Sequence, residues 1–184
     1  MVSPGVLIVS APSGAGKTSL TRALVASRND IGLTVSHTTR PMRSGEENGV
    51  HYHFVDHADF EQMVEQDLFV EHAMVFGNRY GTSIQAIEER LSEGKHAILE
   101  IDWQGARRVR QAFSAAVSGF IMPPSLDALE QRLRDRGQDS DEIIANRMQA
   151  ARSEISHKDE FDQIIVNDNF DQALAQLTAA VDGL

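Results

Sequence analysis

Residues 5–18 read GVLIVSAPSGAGKT. The short apolar run Gly5–Ala11 has strand length, and Lys17–Ser27 carries Leu20, Leu24 and Val25 at helical spacing. Between them lies a glycine-rich turn. Ala11, Pro12, Ser13, Gly14, Ala15, Gly16, Lys17 and Thr18 match the phosphate-loop pattern G-x-x-x-x-G-K-[ST], except that Ala11 stands at the first glycine. Such a turn needs backbone N–H groups pointing inward, so bulky side chains are excluded, and a helix N-terminus aimed at the anion. Lys17 is then expected to reach the β- and γ-phosphates, and the Thr18 hydroxyl to hold Mg²⁺. Ala11 matters little if its φ is negative. The plainer alternative is a glycine-rich turn with an ordinary lysine; the strand before it and the helix after it favour nucleotide binding. The motif calls for a nucleoside triphosphate and leaves the phosphoryl acceptor open.

The same strand-then-helix rhythm recurs outward from this stretch. Ala97–Asp102, Val117–Met122 and Gln163–Asn167 are short apolar runs, each followed by a helical pattern. Near-continuous apolar strands joined by helices predict a parallel sheet covered on both faces, with right-handed crossovers: an α/β fold. At 184 residues the chain is about one domain long. The middle breaks the rhythm. Ser36–Val55 is polar, Val50–Val55 alternates like a half-exposed antiparallel strand, and Phe69–Phe76 is another strand-like run. We read 35–84 as a small inserted mixed α/β subdomain and 125–155 as a charge-laced helical lid. The core is then 1–34, 85–124 and 156–184. Ser125 is a candidate N-cap and Gly137 a helix-stop glycine, while Asp139 with Glu142 has capping-box spacing for the next helix.

Composition narrows the chemistry. There is no cysteine, which excludes a disulfide scaffold, a thiolate nucleophile and a thiolate metal site. A net charge of −10 argues against a nucleic-acid partner, although a local field in a pocket can still favour a phosphate. The first ten residues lack a basic n-region and no apolar run approaches membrane-spanning length, so neither a leader nor a membrane partner is expected, and the location expected is cytoplasmic.

Ser36–Gly49 carries Arg40 and Arg43 on either side of Pro41-Met42, with Tyr52 following. Two guanidinium forks on a proline-restrained loop suit a dianionic phosphate; a solvated basic loop is the alternative. Glu100 and Asp102 flank Ile101 and share a strand face, and Glu100 could hold Mg²⁺ through water. Two surface carboxylates would look the same. Arg132 and Arg136 lie four apart on one helix face, with Arg147 on the next helix, while Arg134 reads as a solvated arginine paired with Asp135 and Glu130. His51 and His53 could share a strand face but have no third ligand at metal-binding spacing. Trp103, Phe60, Met63 and Val64 read as packing.

Together the loop at 11–18, SHTTRPMRSGEENGVHY (36–52), FVEHAMVFGNRYGT (69–82), ILEIDWQG (98–105), RLRDRG (132–137) and IVND (165–168) resemble the guanylate kinases of the bacterial type, over nearly the whole chain. The resemblance implies a P-loop nucleoside monophosphate kinase fold and transfer of the ATP γ-phosphoryl group to GMP, with Mg²⁺ as cofactor and dGMP as a possible acceptor. It implies that Arg40, Arg43, Tyr52 and Tyr80 bind the GMP phosphate, and that Ser36, Glu71, Thr82 and Asp102 read guanine. Arg132, Arg136 and Arg147 would join Lys17 in meeting the transferring phosphates, and Asn167 would contact adenine. Guanine chemistry fits: N1–H and N2–H₂ are adjacent donors that one carboxylate can accept, and a hydroxyl can donate to O6. Many members carry serine where this chain has Thr82. Two other readings remain to be separated: a non-catalytic phosphopeptide-binding relative, and a P-loop kinase for AMP or a sugar acid.

Overall fold

The computed structural model describes residues 4–75, 77–137 and 139–184. Its centre is β1 (Val6–Ser10), a strand buried along its whole length. With β2 (Ile31–Leu33), β7 (His96–Glu100), β8 (Val117–Met122) and β9 (Gln163–Val166) it forms a five-stranded sheet in the order β2-β7-β1-β8-β9. Every pairing in this sheet is parallel. Alternate residues of β1 face opposite ways, and each face finds helices. Leu7 and Val9 pack with α1 (Lys17–Ser27) and α7 (Phe170–Asp182) through Leu20, Leu24, Ala173 and Leu177. Val6 and Ile8 pack with α3 (Ile84–Ser92) and α4 (Trp103–Ala112) through Ile87, Ala106 and Val109. β2 is only three residues long and is interrupted by Gly32, so its sequence carries no apolar run to announce it.

A second sheet has the order β4-β3-β6-β5, from β3 (His37–Thr38), β4 (His53–Phe54), β5 (Phe69–Val75) and β6 (Asn78–Ser83). β5 and β6 form an antiparallel hairpin that closes between Val75 and Asn78. The expected strand at Phe69–Phe76 ends at Val75; Phe76 lies outside the described residues. The expected antiparallel strand Val50–Val55 is not what forms. The Asn48-Gly49 turn takes up its start: Gly49 is left-handed, at φ +79°, and the Val50 and His51 amides donate back to the Glu47 carbonyl. Only His53–Phe54 remains extended, and it pairs parallel to β3. α2 (His57–Glu65) covers this sheet; Phe60 is fully buried, while Met63 and Val64 are half-buried.

α5 (Leu126–Asp135) and α6 (Asp141–Ile155) share a small core of their own, Leu129, Leu133, Ile144, Met148 and Ala151. Ser125 caps α5, accepting from the Ala128 amide, and Gly137 ends it at φ +62°. The capping box expected from Asp139 and Glu142 is displaced by one residue. Ser140 is the N-cap of α6, accepting from the Ile143 amide, because the Asp139 carboxylate is turned to Arg147 instead. Gln138 lies outside the described residues.

Candidate active site

Parallel strands bring their carboxyl ends to one edge of the sheet, the edge at which open α/β sheets take ligands. Here β1 delivers Ala11–Thr18, β7 delivers Glu100 and Asp102, and β9 delivers Asn167. In the turn after β1, Gly14 and Gly16 are left-handed, at φ +94° and +100°. Ala11 is not: among the described residues Asp67 alone combines a side chain with positive φ, so the alanine at the first glycine position carries no backbone strain. Lys17 and Thr18 open α1, where the unpaired amides and the helix dipole favour an anion.

Space around the turn is tight. A Cβ on Gly14 would lie 3.0 Å from Leu129 and Leu133 of α5, and one on Gly16 only 2.3 Å from Asn167 Nδ2. Asn167 is buried; Nδ2 donates to the Ala15 carbonyl at 2.8 Å, and its own carbonyl accepts from Arg132 Nη2 at 2.9 Å. Its side-chain amide therefore braces the phosphate loop. Arg147 Nη1 donates to Ser13 Oγ at 2.7 Å while its guanidinium pairs with Asp139. Arg136 is exposed at the end of α5, and Arg134 is engaged with Glu130 and Asp141 on the outer surface.

Thr21, one turn along α1 from Lys17, donates to Glu100 Oε1 at 2.5 Å. That bond ties Glu100 to the helix that carries Thr18. The i, i+4 spacing of Lys17 and Thr21 is the signal a sequence reading could have used. A hydroxyl and a carboxylate are hard oxygen donors of the kind Mg²⁺ takes, completing its shell with water and substrate phosphate. Among the described residues there is no cluster of three or more His, Cys, Asp or Glu suited to hold a metal. His53 is stacked on His37 at 4.6 Å, and His51 Nδ1 accepts from the Glu47 amide.

On the other side, the β5–β6 ladder slips between Phe69 and Glu71, so that Glu71 stands opposite Thr82. A bulge of this kind re-aims a side chain. Glu71 is 5% exposed and Thr82 fully buried. Ser36 Oγ lies 3.1 Å from Thr82 Oγ1. Burial pushes the Glu71 carboxyl up to about 7; its bond with Thr82 opposes this and the Asp102 charge adds to it. Asp102 caps α4, accepting from the Gly105 amide at 2.7 Å. Gly105 is a residue the sequence reading missed: a Cβ there would lie 2.6 Å from Glu71 Oε2.

Arg40 spans both oxygens of Glu46, at 2.8 and 3.0 Å, and donates to the Pro41 carbonyl. Its guanidinium lies 5.5 Å from the centre of the Tyr52 ring, and Tyr52 meets Tyr80 edge to face at 5.8 Å. Burial raises the Tyr52 phenol to about 12, keeping it a donor at neutral pH. Arg43 stands apart and exposed, although its backbone amide donates to Glu46. Beyond Asp102, the Trp103 ring stacks on His157 at 3.6 Å, just past the end of α6.

A parallel core with a phosphate loop after its central strand and a second sheet holding a buried carboxylate define a P-loop nucleoside monophosphate kinase fold. The guanylate kinase family model matches residues 3–183. A guanylate kinase of Methylococcus capsulatus is 58% identical over 95% of this chain and 85% of its own length. One of Haemophilus influenzae is 55% identical over 96% and 86%. The crystal structure of guanylate kinase from Anaplasma phagocytophilum superposes with a TM-score of 0.81, at 32% identity, covering 98% of this chain and 85% of that one. A gluconokinase from Sinorhizobium meliloti, at 13% identity and a TM-score of 0.53, shares the fold alone. The chain belongs to the guanylate kinase family and is a kinase by that membership.

Proposed function

We propose that this chain transfers the γ-phosphoryl group of ATP to GMP, giving ADP and GDP. The observation that carries the reading is the buried Glu71 carboxylate beside the Ser36–Thr82 hydroxyl pair, an acceptor next to donors, the complement of guanine. Glu71 accepts from N1–H and N2–H₂, and a hydroxyl donates to O6. Adenine inverts that pattern and would leave buried groups unpaired. Arg40, Arg43, Tyr52 and Tyr80 take the GMP phosphate.

The acceptor oxygen is already an anion, so no strong general base is needed. The chain's work is to align two phosphates in line, neutralise their charge and keep water out. Lys17 acts on the β- and γ-oxygens; Arg132, Arg136 and Arg147 add charge as the helical pair α5–α6 closes over them. Thr18, with Glu100 through water, would hold a Mg²⁺ ion, which supplies charge neutralisation on the phosphates. The reaction returns GMP to the diphosphate pool of purine metabolism, and we assign it to the cytoplasm. No nucleic-acid or membrane partner enters this reading; among the described residues no helix is long and apolar enough to cross a membrane.

Release of ADP measured in a coupled assay with GMP, AMP, CMP and UMP tests the proposal. Turnover with GMP far above the others is expected. Equal or greater turnover with AMP would overturn the choice of base, and no ADP with any acceptor would point to a non-catalytic binding module.

A further inference from the structure

α4 carries a buried glycine in its first turn that no backbone requirement explains. Gly105 lies within the helix and is not one of the left-handed glycines. A glycine so placed weakens a helix relative to alanine. Its amide donates to Asp102 Oδ1 at 2.7 Å, a bond that any residue except proline could make. What glycine alone supplies is room. A Cβ at 105 would lie 2.6 Å from Glu71 Oε2, 3.1 Å from its Cδ and 3.3 Å from its Cγ, so the carboxyl end of Glu71 rests against the bare Cα. The strand beneath Glu71 is not free to back away. One turn further along α4, Arg108 Nη1 donates to the His72 carbonyl at 2.6 Å and pins β5 to the helix beside Glu71.

We propose that Gly105 is a positioning residue of the acceptor site: its lack of a side chain fixes where the Glu71 carboxylate stands, and with it the preference for guanine over adenine. This rests on the reading of Glu71 as the guanine reader. Ordinary contact begins at 3.4 Å, so an alanine at 105 makes the carboxylate retreat by most of an ångström. The group that yields is the far end of a flexible side chain, a displacement the fold absorbs, and the helix gains from the alanine. Base reading does not absorb it. Accepting from two adjacent donors needs both carboxylate oxygens in place, and a misplacement of about 1 Å costs up to about 100-fold. The cap bond to Asp102 survives the change, because it uses the amide alone.

The full chain, Gly105→Ala, Glu71→Ala and the double variant are compared by initial rates with GMP and AMP as acceptors and by thermal melting. Gly105→Ala is expected to melt at or above the wild-type temperature, yet to lose at least about tenfold in kcat/KM for GMP. Its KM for ATP should stay within about two-fold and its kcat/KM for AMP within about three-fold, so that the loss falls on the base. With Glu71 already alanine, there is no carboxylate to displace, and the same change at 105 should alter kcat/KM for GMP less than about two-fold. An equal loss in both backgrounds, or melting of Gly105→Ala far below wild type, would give Gly105 a role in the fold instead and overturns the proposal. So does a wild-type GMP-to-AMP ratio in Gly105→Ala while Glu71→Ala loses its preference. A wild-type ratio in Glu71→Ala itself would overturn the reading of Glu71, and this inference with it.

Discussion

Arg40 and Glu46 face each other fork to fork, with two nitrogen–oxygen distances of 2.8 and 3.0 Å. The same carboxylate accepts from the Arg43 amide at 2.7 Å. Glu46 thus holds both the guanidinium and the loop on which the candidate phosphate ligands lie, and it sits only six residues from Arg40.

Glu46→Ala should therefore loosen the GMP site without touching the donor site. The KM for GMP is expected to rise about tenfold or more, the loss of an oriented, charge-assisted pair. The KM for ATP should stay within about two-fold. Initial-rate kinetics with each substrate varied in turn checks the split; a parallel rise in both would show that Glu46 acts on the whole fold.

Glu71→Gln keeps the size of the side chain but turns one acceptor oxygen into a donor that faces a guanine donor. Losing a bond to a charged group removes about 1.5–3 kcal/mol, or roughly 10- to 100-fold in kcat/KM for GMP. AMP, which offers an acceptor at N1, should lose much less. An unchanged GMP-to-AMP ratio would remove Glu71 as the reader of the base.

The buried Glu71 carboxyl also predicts a dependence of stability on pH. It holds its proton up to about 7 in the folded chain, against an ordinary value of 4.5. The folded state therefore binds more protons than the unfolded chain between these limits, and stability falls as pH rises through them. Over the whole window this group removes about 3 kcal/mol. Urea unfolding of wild type and Glu71→Gln at pH 4.5 and pH 8 should show the variant gaining on wild type at the higher pH. A constant gap would mean that the carboxyl titrates normally.

Asn167 separates two roles for one side chain. As a brace on the Ala15 carbonyl it supports the loop whatever base the donor carries. Asn167→Ala should then raise the KM for ATP, GTP and ITP by a similar factor, about tenfold, because a buried carbonyl loses its donor. A loss confined to ATP would return Asn167 to the adenine.

The difference between brace and base contact is one that spacing along the chain cannot carry. The phosphate loop was legible because its strand, turn and helix are contiguous, and each residue's task depends on neighbours a few positions away. The parallel sheet was legible because β1, β7, β8 and β9 are apolar on both faces. Glu71 and Thr82 are different. They meet only because the ladder slips at Val70, and only the resemblance singled them out beforehand. Val50–Val55 alternates like a strand, but the backbone of Gly49 had already spent that segment on a turn. Asp139 has the spacing of a cap and lost that place to Ser140 because Arg147, about two helical turns further on, drew its carboxylate away. In the last two cases a left-handed glycine or a charge outweighed a local pattern.

The chain contains one tryptophan, Trp103, and it lies flat against His157 with the two rings 12° from parallel. One partner of that stack opens the helix capped by Asp102; the other follows the last turn of α6. A stacked imidazole quenches indole emission. The protein thus carries an unlabelled optical gauge at the root of its helical pair: a swing of α6 that parts the rings brightens the single fluorophore, and its time course can be followed in a stopped-flow instrument while nucleotides enter and leave.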